Sequence, residues 1–318
     1  MRLSVIIPVY YNEPNLRPLY NDIKEKILSR SDIETEIVMV NDGSRDRSYQ
    51  IMQEIAKEDS RVRIFSLSRN FGSHAAILCG LDHCTGDCAV IKAADLQEPT
   101  ELIIEMLDSW RNGFNVVLAA RKSRPESTIS NFFSNAYYWL VRNTSFPNMP
   151  KSGFDIYLID RKVIEVIKKL DEKNSALTGQ ILWSGFRTSV VYYDRLERTA
   201  GKSRWTLSKK LRLVSDTLYS FSTVPITFIS AVGALSFFVA LVWGIVVFVS
   251  KLCGQIETAG WTSLFIFSLA AFGIIMLTLG IIGNYLWRAF DACRARPPYI
   301  IEDEGCGAPE DSSDRGRR

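Results

Sequence analysis

The sequence lacks both of the glycine-rich loops that commonly bind phosphate. No Gly-x-Gly-x-x-Gly follows its first predicted strand, and no Gly-x-x-x-x-Gly-Lys-Ser/Thr occurs among its 318 residues. Dinucleotide-dependent dehydrogenases and P-loop enzymes are therefore disfavoured. Histidine is scarce as well: only His74 and His83 are present, and none of the six cysteines has zinc-type spacing to them. We expect the cysteines to be reduced thiols that pack rather than metal ligands.

Charged residues almost vanish from the second half of the chain. Two runs carry none at all, residues 217–250 and residues 258–287. A membrane-spanning helix needs about 20 apolar residues, and each run is longer than that. Buried core helices are the alternative, but two successive charge-free core helices of this length are uncommon. We predict transmembrane helices over 223–250 and 262–288, joined by a non-cytoplasmic loop over 251–261.

The distribution of basic residues predicts the orientation of these spans. Basic side chains near a span favour the cytosolic side, and the loop between the runs offers only Lys251. We expect a multi-pass protein of the cell inner membrane, with its N-terminal domain and both termini in the cytosol and no signal peptide. The small net charge of +3 favours anionic lipid headgroups over nucleic acid as a partner. The flanking basic residues are Lys202, Arg204, Lys209, Lys210, Arg212, Arg288, Arg294 and Arg296.

The first 120 residues alternate short apolar strands with amphipathic helices. This pattern is typical of an α/β fold with a parallel sheet covered on both faces. Ligands bind such sheets outside the carboxyl ends of the strands. Polar clusters lie at four of those ends, over 10–13, 41–44, 68–72 and 94–97. The predicted strands are 3–9, 36–40, 62–67, 88–91 and 116–119, and the predicted helices between them are 14–28, 45–58 and 73–84.

The domain continues past residue 120 and is predicted to span 1–205. Further elements are expected over 127–144 (helix), 153–159 (strand), 161–170 (helix) and 189–193 (strand). Residues 206–222 combine apolar residues at helical spacing with basic residues, which predicts an amphipathic helix in the membrane interface; a core-facing helix is the alternative. The polar segment 289–318 is expected to be a cytoplasmic tail, partly disordered from about residue 302.

Two aspartates at strand ends are candidates for binding chemistry. Asp42 could accept hydrogen bonds from a base edge or a ribose, or it could cap the helix that begins near Arg45. Asp95 follows a short apolar strand and precedes a helix expected to open at Pro99. It could cap that helix, but a metal role is favoured because a divalent cation bridges diphosphate and prefers oxygen ligands.

Six motifs together resemble the polyprenyl-phosphate glycosyltransferases of glycosyltransferase family 2, which include the bactoprenol glucosyltransferases and, more distantly, dolichol-phosphate mannose synthase. The resemblance covers nearly the whole chain. It implies a GT-A (Rossmann-like) fold, a nucleotide-sugar donor that is usually UDP-linked, Mg²⁺ or Mn²⁺, and inverting transfer to a lipid phosphate. The motifs are Ser4-Val-Ile-Ile-Pro-Val-Tyr10, Val40-Asn-Asp-Gly-Ser-Arg-Asp46, Ser68-Arg-Asn-Phe-Gly72, Ala94-Asp-Leu-Gln-Glu-Pro99, Gly201-Lys-Ser-Arg-Trp205 and Arg294-Ala-Arg-Pro-Pro-Tyr299.

The resemblance also assigns residues on the donor side of the site. Asp95 is implied to hold the metal, and the nucleotide-sugar residues are Pro8, Tyr10, Glu13, Asp42, Ala94 and Gln97. One position departs from the family, whose motif usually begins Asp-Ala-Asp: the first Asp is Ala93 here. Gln97 and Glu98 are oxygens that could compensate. The alternative is a catalytically inactive nucleotide-sugar-binding scaffold.

The acceptor side calls for positive charge more than for a strong base. A phosphate monoester has a second pKa near 6, so it is largely dianionic at neutral pH. We expect Lys202, Ser203 and Arg204 to bind the acceptor phosphate, with Arg198 and Arg121 as weaker candidates. Their alternative role is attraction to anionic lipid. Asp155 is the predicted carboxylate near the reacting centre, where it orients a sugar hydroxyl or acts as a base.

These features predict transfer of one hexose, glucose or N-acetylglucosamine, from a UDP-sugar to undecaprenyl phosphate at the cytosolic membrane face. A downstream flippase would pass the product on for glycan decoration at the cell envelope. A processive synthase is disfavoured, because Gly179-Gln-Ile-Leu-Trp183 lacks the Arg of a Gln-x-x-Arg-Trp motif. A flippase role for this chain is disfavoured because its spans carry no internal charge. Gly273, Gly280 and Gly283 permit close helix packing in a homo-oligomer.

Overall fold

The computed structural model describes most of the chain in two compact units. One unit contains Met1–Lys210 and Arg296–Arg318, and the other contains Leu211–Ala295. The predicted interfacial helix lies outside the described residues except for residue 222, as does most of the predicted helix over 127–144. The described residues are 1–122, 139, 141–143, 145–151, 153–154, 156–170, 176–196, 222, 224–253, 260–294 and 296–306.

The described elements follow the predicted order closely. A π-helical turn, Lys24–Leu28, extends α1, and the helix expected to open at Pro99 begins three residues later. The strands are β1 Arg2–Val9, β2 Glu34–Asn41, β3 Val62–Leu67, β4 Cys88–Ile91, β5 Val116–Arg121, β6 Ile156–Asp160, β7 Thr188–Tyr193 and β8 Ile301–Cys306. The helices are α1 Glu13–Ile23, α2 Ser48–Glu58, α3 Ser73–His83, α4 Leu102–Arg111, α5 Arg161–Lys169, α6 Leu177–Trp183, α7 Val224–Leu252 and α8 Trp261–Cys293.

The eight strands form one mixed sheet in the order β7-β5-β6-β4-β1-β2-β3-β8. The first four strands pair in parallel, which confirms the prediction for that part of the chain. The parallel arrangement was expected for the first 120 residues, and β5 also runs in the direction of β1 to β4, because β6 lies antiparallel between β4 and β5. The sheet as a whole is mixed, since β8 also lies antiparallel on β3. A fully apolar strand is buried on both faces whichever way it runs. Its residue pattern therefore carries no information about its direction.

The two faces of β1 show how the sheet is covered. Leu3, Val5 and Ile7 are fully buried on one face, in the same apolar cluster as residues of α1. On the other face, α3 lies very close to the sheet at Gly80. A Cβ atom at that position would lie 2.4 Å from Cγ2 of Ile6. Helix α3 can therefore approach β1 this closely only because residue 80 has no side chain.

The sheet has a switch point between β1 and β4. The chain runs from β1 to β2 to β3 in one direction and then returns to place β4 on the opposite side of β1. In open α/β sheets, ligands commonly bind outside the carboxyl ends of the strands at such a switch point. Backbone hydrogen bonds hold the chain to β1 on both of its sides directly after β2 and β4 end. Asp42 N donates to Val9 O at 2.8 Å, and Lys92 N donates to Ile6 O at 2.9 Å.

The segment after α8 does not begin as a disordered tail. Residues 301–306, from a stretch expected to be partly disordered, form β8 and pair with β3. The polar composition of this stretch suggested disorder because it offers little apolar surface for burial. An edge strand is held by backbone hydrogen bonds and needs only one partner strand, so a polar sequence can still form it.

The second unit contains α7 and α8, the two helices predicted to span the membrane. Their most apolar windows are Ile226–Trp243 and Ala270–Cys293, with mean hydropathy 2.2 and 1.7, and no residue of either window is buried. A helix rises 1.5 Å per residue, so α7 and α8 are about 44 Å and 50 Å long. Both are long and apolar enough to cross a hydrocarbon core of about 30 Å.

Candidate functional site

Four loops line the edge of the sheet where the carboxyl ends of β1 to β4 meet. They are residues 10–12, 41–47, 68–72 and 92–98, named here the first, second, third and fourth rim loops. The parallel pairing brings the four predicted polar clusters to one edge.

The first two rim loops are held together by hydroxyl and carboxylate groups. Tyr11 N donates to Ser44 Oγ and Asn12 N donates to Ser48 Oγ, each at 3.0 Å. Glu13, expected in the nucleotide pocket, accepts from Arg47 N at 3.2 Å. Tyr10 is partly exposed, and its ring packs edge-on against that of Tyr11 at 4.7 Å. Pro8 is the partly exposed residue near the end of β1.

Asp42 anchors the third rim loop. Its side chain is 2% exposed, and its carboxylate accepts from Phe71 N at 2.7 Å and Gly72 N at 2.9 Å. It does not cap α2, which begins six residues later at Ser48. The observed role of Asp42 is therefore to fix the third rim loop, and its contact with a ribose or base edge stays a prediction.

Gly43 brings the second and third rim loops into backbone contact. Its φ is +66°, a conformation that favours glycine. A Cβ atom at Gly43 would lie only 2.5 Å from the carbonyl carbon of Arg69. The absence of a side chain therefore lets the two backbones touch beside Asp42.

Asp95 lies in the fourth rim loop and is partly exposed. Its Oδ1 accepts from Gln97 N at 3.3 Å, and α4 begins only at Leu102, so Asp95 does not cap that helix. Leu96 between them has φ +57°, and Tyr11 in the first rim loop has φ +54°. These are the only non-glycine residues with positive φ in the described parts of the chain. Backbone strain of this kind collects at functional sites.

Gln97 connects the fourth rim loop to the chain that leaves β7. It is 8% exposed, its carbonyl oxygen accepts from Leu196 N at 2.9 Å, and its side-chain oxygen accepts from Arg195. The segment that follows Leu196 contains the predicted acceptor residues. Gln97 therefore holds this loop to the chain that follows β7. Any contact between Gln97 and the nucleotide sugar would use a side-chain amide that already accepts from Arg195.

Lys92 is a residue that the sequence reasoning missed. Its side chain is 1% exposed, and its ammonium donates to Glu98 O at 2.8 Å across the base of the fourth rim loop. Burial lowers the pKa of Lys92, and the nearby carboxylates of Glu98, Asp22 and Asp95 oppose that shift. The sequence did contain a signal for this burial. Lys92 comes directly after an apolar strand, and side chains of such a strand alternate between two buried faces of the sheet. Lys92 places positive charge beneath Asp95.

The side chains near Asp95 suit a metal ion that is bound mainly by a phosphate ligand better than one that is enclosed by protein side chains alone. The described residues contain no group of three His, Cys, Asp or Glu side chains that could hold a metal, and Ala93 offers no side-chain oxygen. Magnesium commonly uses one or two carboxylates and completes its shell with phosphate and water oxygens. The partly exposed carboxylate of Asp95 fits that arrangement as a single protein ligand.

Most of the acceptor-side predictions lie outside the described residues. These are Asp155, Arg198, Lys202, Ser203 and Arg204. Arg121 is described as the partly buried last residue of β5, on the opposite side of β6 from β4. The described residues therefore contain the predicted donor-side residues, whereas most of the predicted acceptor-side residues lie outside them.

The chain is similar to known glycosyltransferases over most of its length. Residues 4–175 match the model of glycosyl transferase family 2. An uncharacterized glycosyltransferase from Bacillus subtilis, YkcC, is 37% identical over 95% of this chain and 94% of its own length. The prophage bactoprenol glucosyl transferase homolog of Escherichia coli is 32% identical over 95% of this chain and 99% of its own. The bactoprenol glucosyl transferase of Shigella phage SfV is 32% identical over 96% and 99%.

A solved structure of low similarity covers both units of the chain. The mannosyltransferase PcManGT of Pyrobaculum calidifontis, solved with GDP-Man and Mn²⁺, matches 90% of this chain and 87% of its own with a TM-score of 0.46 and 16% identity. The family assignment rests on the sequence matches, and those give no support to an inactive scaffold. With its mixed Rossmann-like sheet of GT-A type and two apolar C-terminal helices, the chain belongs to glycosyl transferase family 2 and is a glycosyltransferase.

Proposed function

We propose that this glycosyltransferase transfers a single hexose, glucose or N-acetylglucosamine, from a UDP-sugar to undecaprenyl phosphate. One observation carries the proposal: a donor-type rim and two long apolar helices occur in one chain, and relatives named bactoprenol glucosyl transferases match that chain over both parts. An acceptor with a polyprenyl tail explains why the enzyme carries membrane helices. A downstream flippase would deliver the product for glycan decoration at the cell envelope.

The donor side of the proposed mechanism uses the rim loops. Asp42 accepts from the ribose or base, within a pocket to which Pro8, Tyr10, Glu13, Ala94 and Gln97 contribute. Asp95 would hold Mg²⁺ or Mn²⁺, which when bound neutralises the diphosphate and stabilises the departing nucleotide. Lys92 supports this loop from beneath through Glu98 O.

The acceptor side needs orientation and charge rather than a strong base. An oxygen of the lipid phosphate attacks the anomeric carbon on the face opposite UDP. The new carbon–oxygen bond forms as the bond to UDP breaks, and the configuration inverts. The phosphate is already largely dianionic at neutral pH, so no proton must be removed. Lys202, Ser203, Arg204 and Arg198 would hold that phosphate, and Asp155 would orient a sugar hydroxyl.

The return of the chain to the sheet supports a cytosolic location for both ends. β8 follows α8 in sequence and pairs with β3, so the residues on both sides of the helix pair belong to one folded unit. The chain must then cross the membrane an even number of times between them, which agrees with two spans. The basic residues beside the spans favour the cytosol for that unit.

A donor panel tests the proposed reaction. Purified full-length enzyme in detergent receives undecaprenyl phosphate and radiolabelled UDP- or GDP-sugars, with EDTA, Mg²⁺ or Mn²⁺. We expect label in the lipid from one UDP-hexose, dependent on the added cation. Label from a GDP-sugar would replace the proposed donor, and label in EDTA would remove the proposed metal. No lipid label from any donor would contradict the function itself.

The Asp95→Asn variant tests the metal assignment. Loss of the negative charge should lower kcat by at least about 100-fold, the size typical of losing one electrostatic contact to the reacting groups, with little change in melting temperature. Asp32→Asn is the matched control, because Asp32 is an exposed aspartate before β2 that pairs with Arg30 and Arg111. Wild-type activity in Asp95→Asn would exclude the assignment.

The double variant Lys202→Ala/Arg204→Ala tests the acceptor site. Loss of two cations should raise the KM for undecaprenyl phosphate by about tenfold or more while the donor KM changes little. Lys168→Ala/Lys169→Ala removes the same charge from the last turn of α5 and serves as the control. An equal rise in both KM values would mean that Lys202 and Arg204 support only the fold.

Native cysteines allow a test of the orientation. Cys253 and Cys293 are exposed near opposite ends of the helix pair, whereas Cys79, Cys84 and Cys88 are buried. Burial raises the pKa of Cys79 and of Cys88 to about 12, so these thiols should not react at neutral pH. In a Cys293→Ser/Cys306→Ser background, an impermeant maleimide should label Cys253 in intact spheroplasts. In Cys253→Ser/Cys306→Ser, labelling of Cys293 should require opened membranes; the reverse pattern would invert the orientation.

A further inference from the structure

The proposed function gives no task to the segment that follows α8. The segment includes the motif Arg294-Ala-Arg-Pro-Pro-Tyr299 and then β8. β8 pairs antiparallel with β3 from Arg63↔Cys306 to Leu67↔Ile301. Gly305 lies against Ile64, where an added Cβ atom would come within 2.9 Å of the Ile64 side chain. The strand is therefore closely fitted to its partner.

Three hydrogen bonds extend this docking beyond the strand ladder. Ser68 N donates to Ile300 O at 3.0 Å. Tyr49 Oη donates to Asp303 Oδ2 at 2.8 Å, and Tyr299 Oη donates to Asp82 Oδ2 at 2.6 Å. The segment thus contacts α2, α3 and the end of β3, three elements that are separate in sequence.

Two of these contacts lie at the ends of rim loops. Ser68 is the first residue of the third rim loop, and Tyr49 lies in the first turn of α2, directly after the second rim loop. These two loops touch through Gly43 and Arg69 and are joined by the bonds from Phe71 N and Gly72 N to Asp42. A continuous path of contacts therefore runs from the returning chain to Asp42.

Both tyrosine hydroxyls are suited to act as permanent donors. Burial raises the pKa of the Tyr49 phenol, and its hydrogen bond to Asp303 raises it further. Burial and the hydrogen bond to Asp82 do the same for the pKa of Tyr299. Each phenol remains protonated and each carboxylate can accept, so the contacts hold throughout the neutral range.

We propose that the segment Pro298–Gly305 is a positioning element of the donor site, which fixes the second and third rim loops and through them Asp42. The inference rests on the proposed role of Asp42 toward the nucleotide. A strand that merely covered the exposed edge of β3 would protect the protein from edge pairing. Such a strand would not affect nucleotide affinity selectively.

The conservative test uses the full-length chain with Tyr49→Phe, Tyr299→Phe and the double variant. Each change removes one hydroxyl and keeps the ring. UDP affinity, measured by calorimetry, should fall by up to about fivefold for each variant, and the donor KM should rise with it while the acceptor KM stays near wild type. Tyr192→Phe is the matched control, because Tyr192 is an exposed tyrosine on β7 at the opposite edge of the sheet.

Two truncations provide the larger perturbation. Stopping the chain after Arg296 removes the segment, whereas stopping it after Cys306 removes only the residues beyond β8. We expect the first to lose at least about tenfold in UDP affinity and the second to match wild type. If the first truncation does not fold, the tyrosine variants decide the question.

Hydrogen exchange separates this inference from the proposed function. In the double tyrosine variant, the amides of Phe71 and Gly72 should exchange faster, while those of the β1–β2 ladder should not change. If wild-type enzyme binds UDP-sugar but the double variant keeps its affinity, KM values and loop protection, the inference is overturned. It is also overturned if donor and acceptor KM values rise together with a fall in Tm. If wild type binds no uridine nucleotide, the proposed donor fails, and the exchange of Phe71 and Gly72 still decides whether the segment orders the loop.

Discussion

Parallel pairing of β1 with β2 on one side and with β4 on the other is the constraint on which the proposed donor site depends. It places the loops after three buried strands at a single edge, beside the switch point where such sheets commonly bind ligands. Each backbone is held by a ladder that ends at the rim, at Asp42 N and at Lys92 N. The functional side chains therefore start from rigid positions although they lie on loops.

The rim is held by buried polar groups as well as by packing. Asp42 binds two amides of a neighbouring loop, and Lys92 binds Glu98 O. A buried charge is costly unless it has hydrogen-bonding partners. These charges are retained where they order loops that cannot form regular structure. The strained backbone of Tyr11 and Leu96 at the same edge is consistent with a site shaped for a ligand.

The chain leaves the sheet domain to form the two apolar helices and then returns to the sheet domain. The helices α7 and α8 expose mainly apolar side chains over their most apolar windows, as expected for a lipid environment. The returning segment adds a strand to the free edge of β3. Two parts of the chain that are distant in sequence thus contribute to one catalytic unit.

The sequence by itself determined most of the elements, because local periodicity and strand-end polarity decide them: β3 and β4 have the bounds predicted, and the described parts of the two charge-free runs are largely helical. It also indicated the family, through six motifs, four of which reach the rim loops. The tertiary structure alone decided the direction of β6, the strand formed by residues 301–306, and the partners of Asp42, Lys92 and Gln97. These depend on contacts between residues far apart in the chain. An apolar or polar pattern specifies whether a residue is buried but not which distant backbone group it meets there.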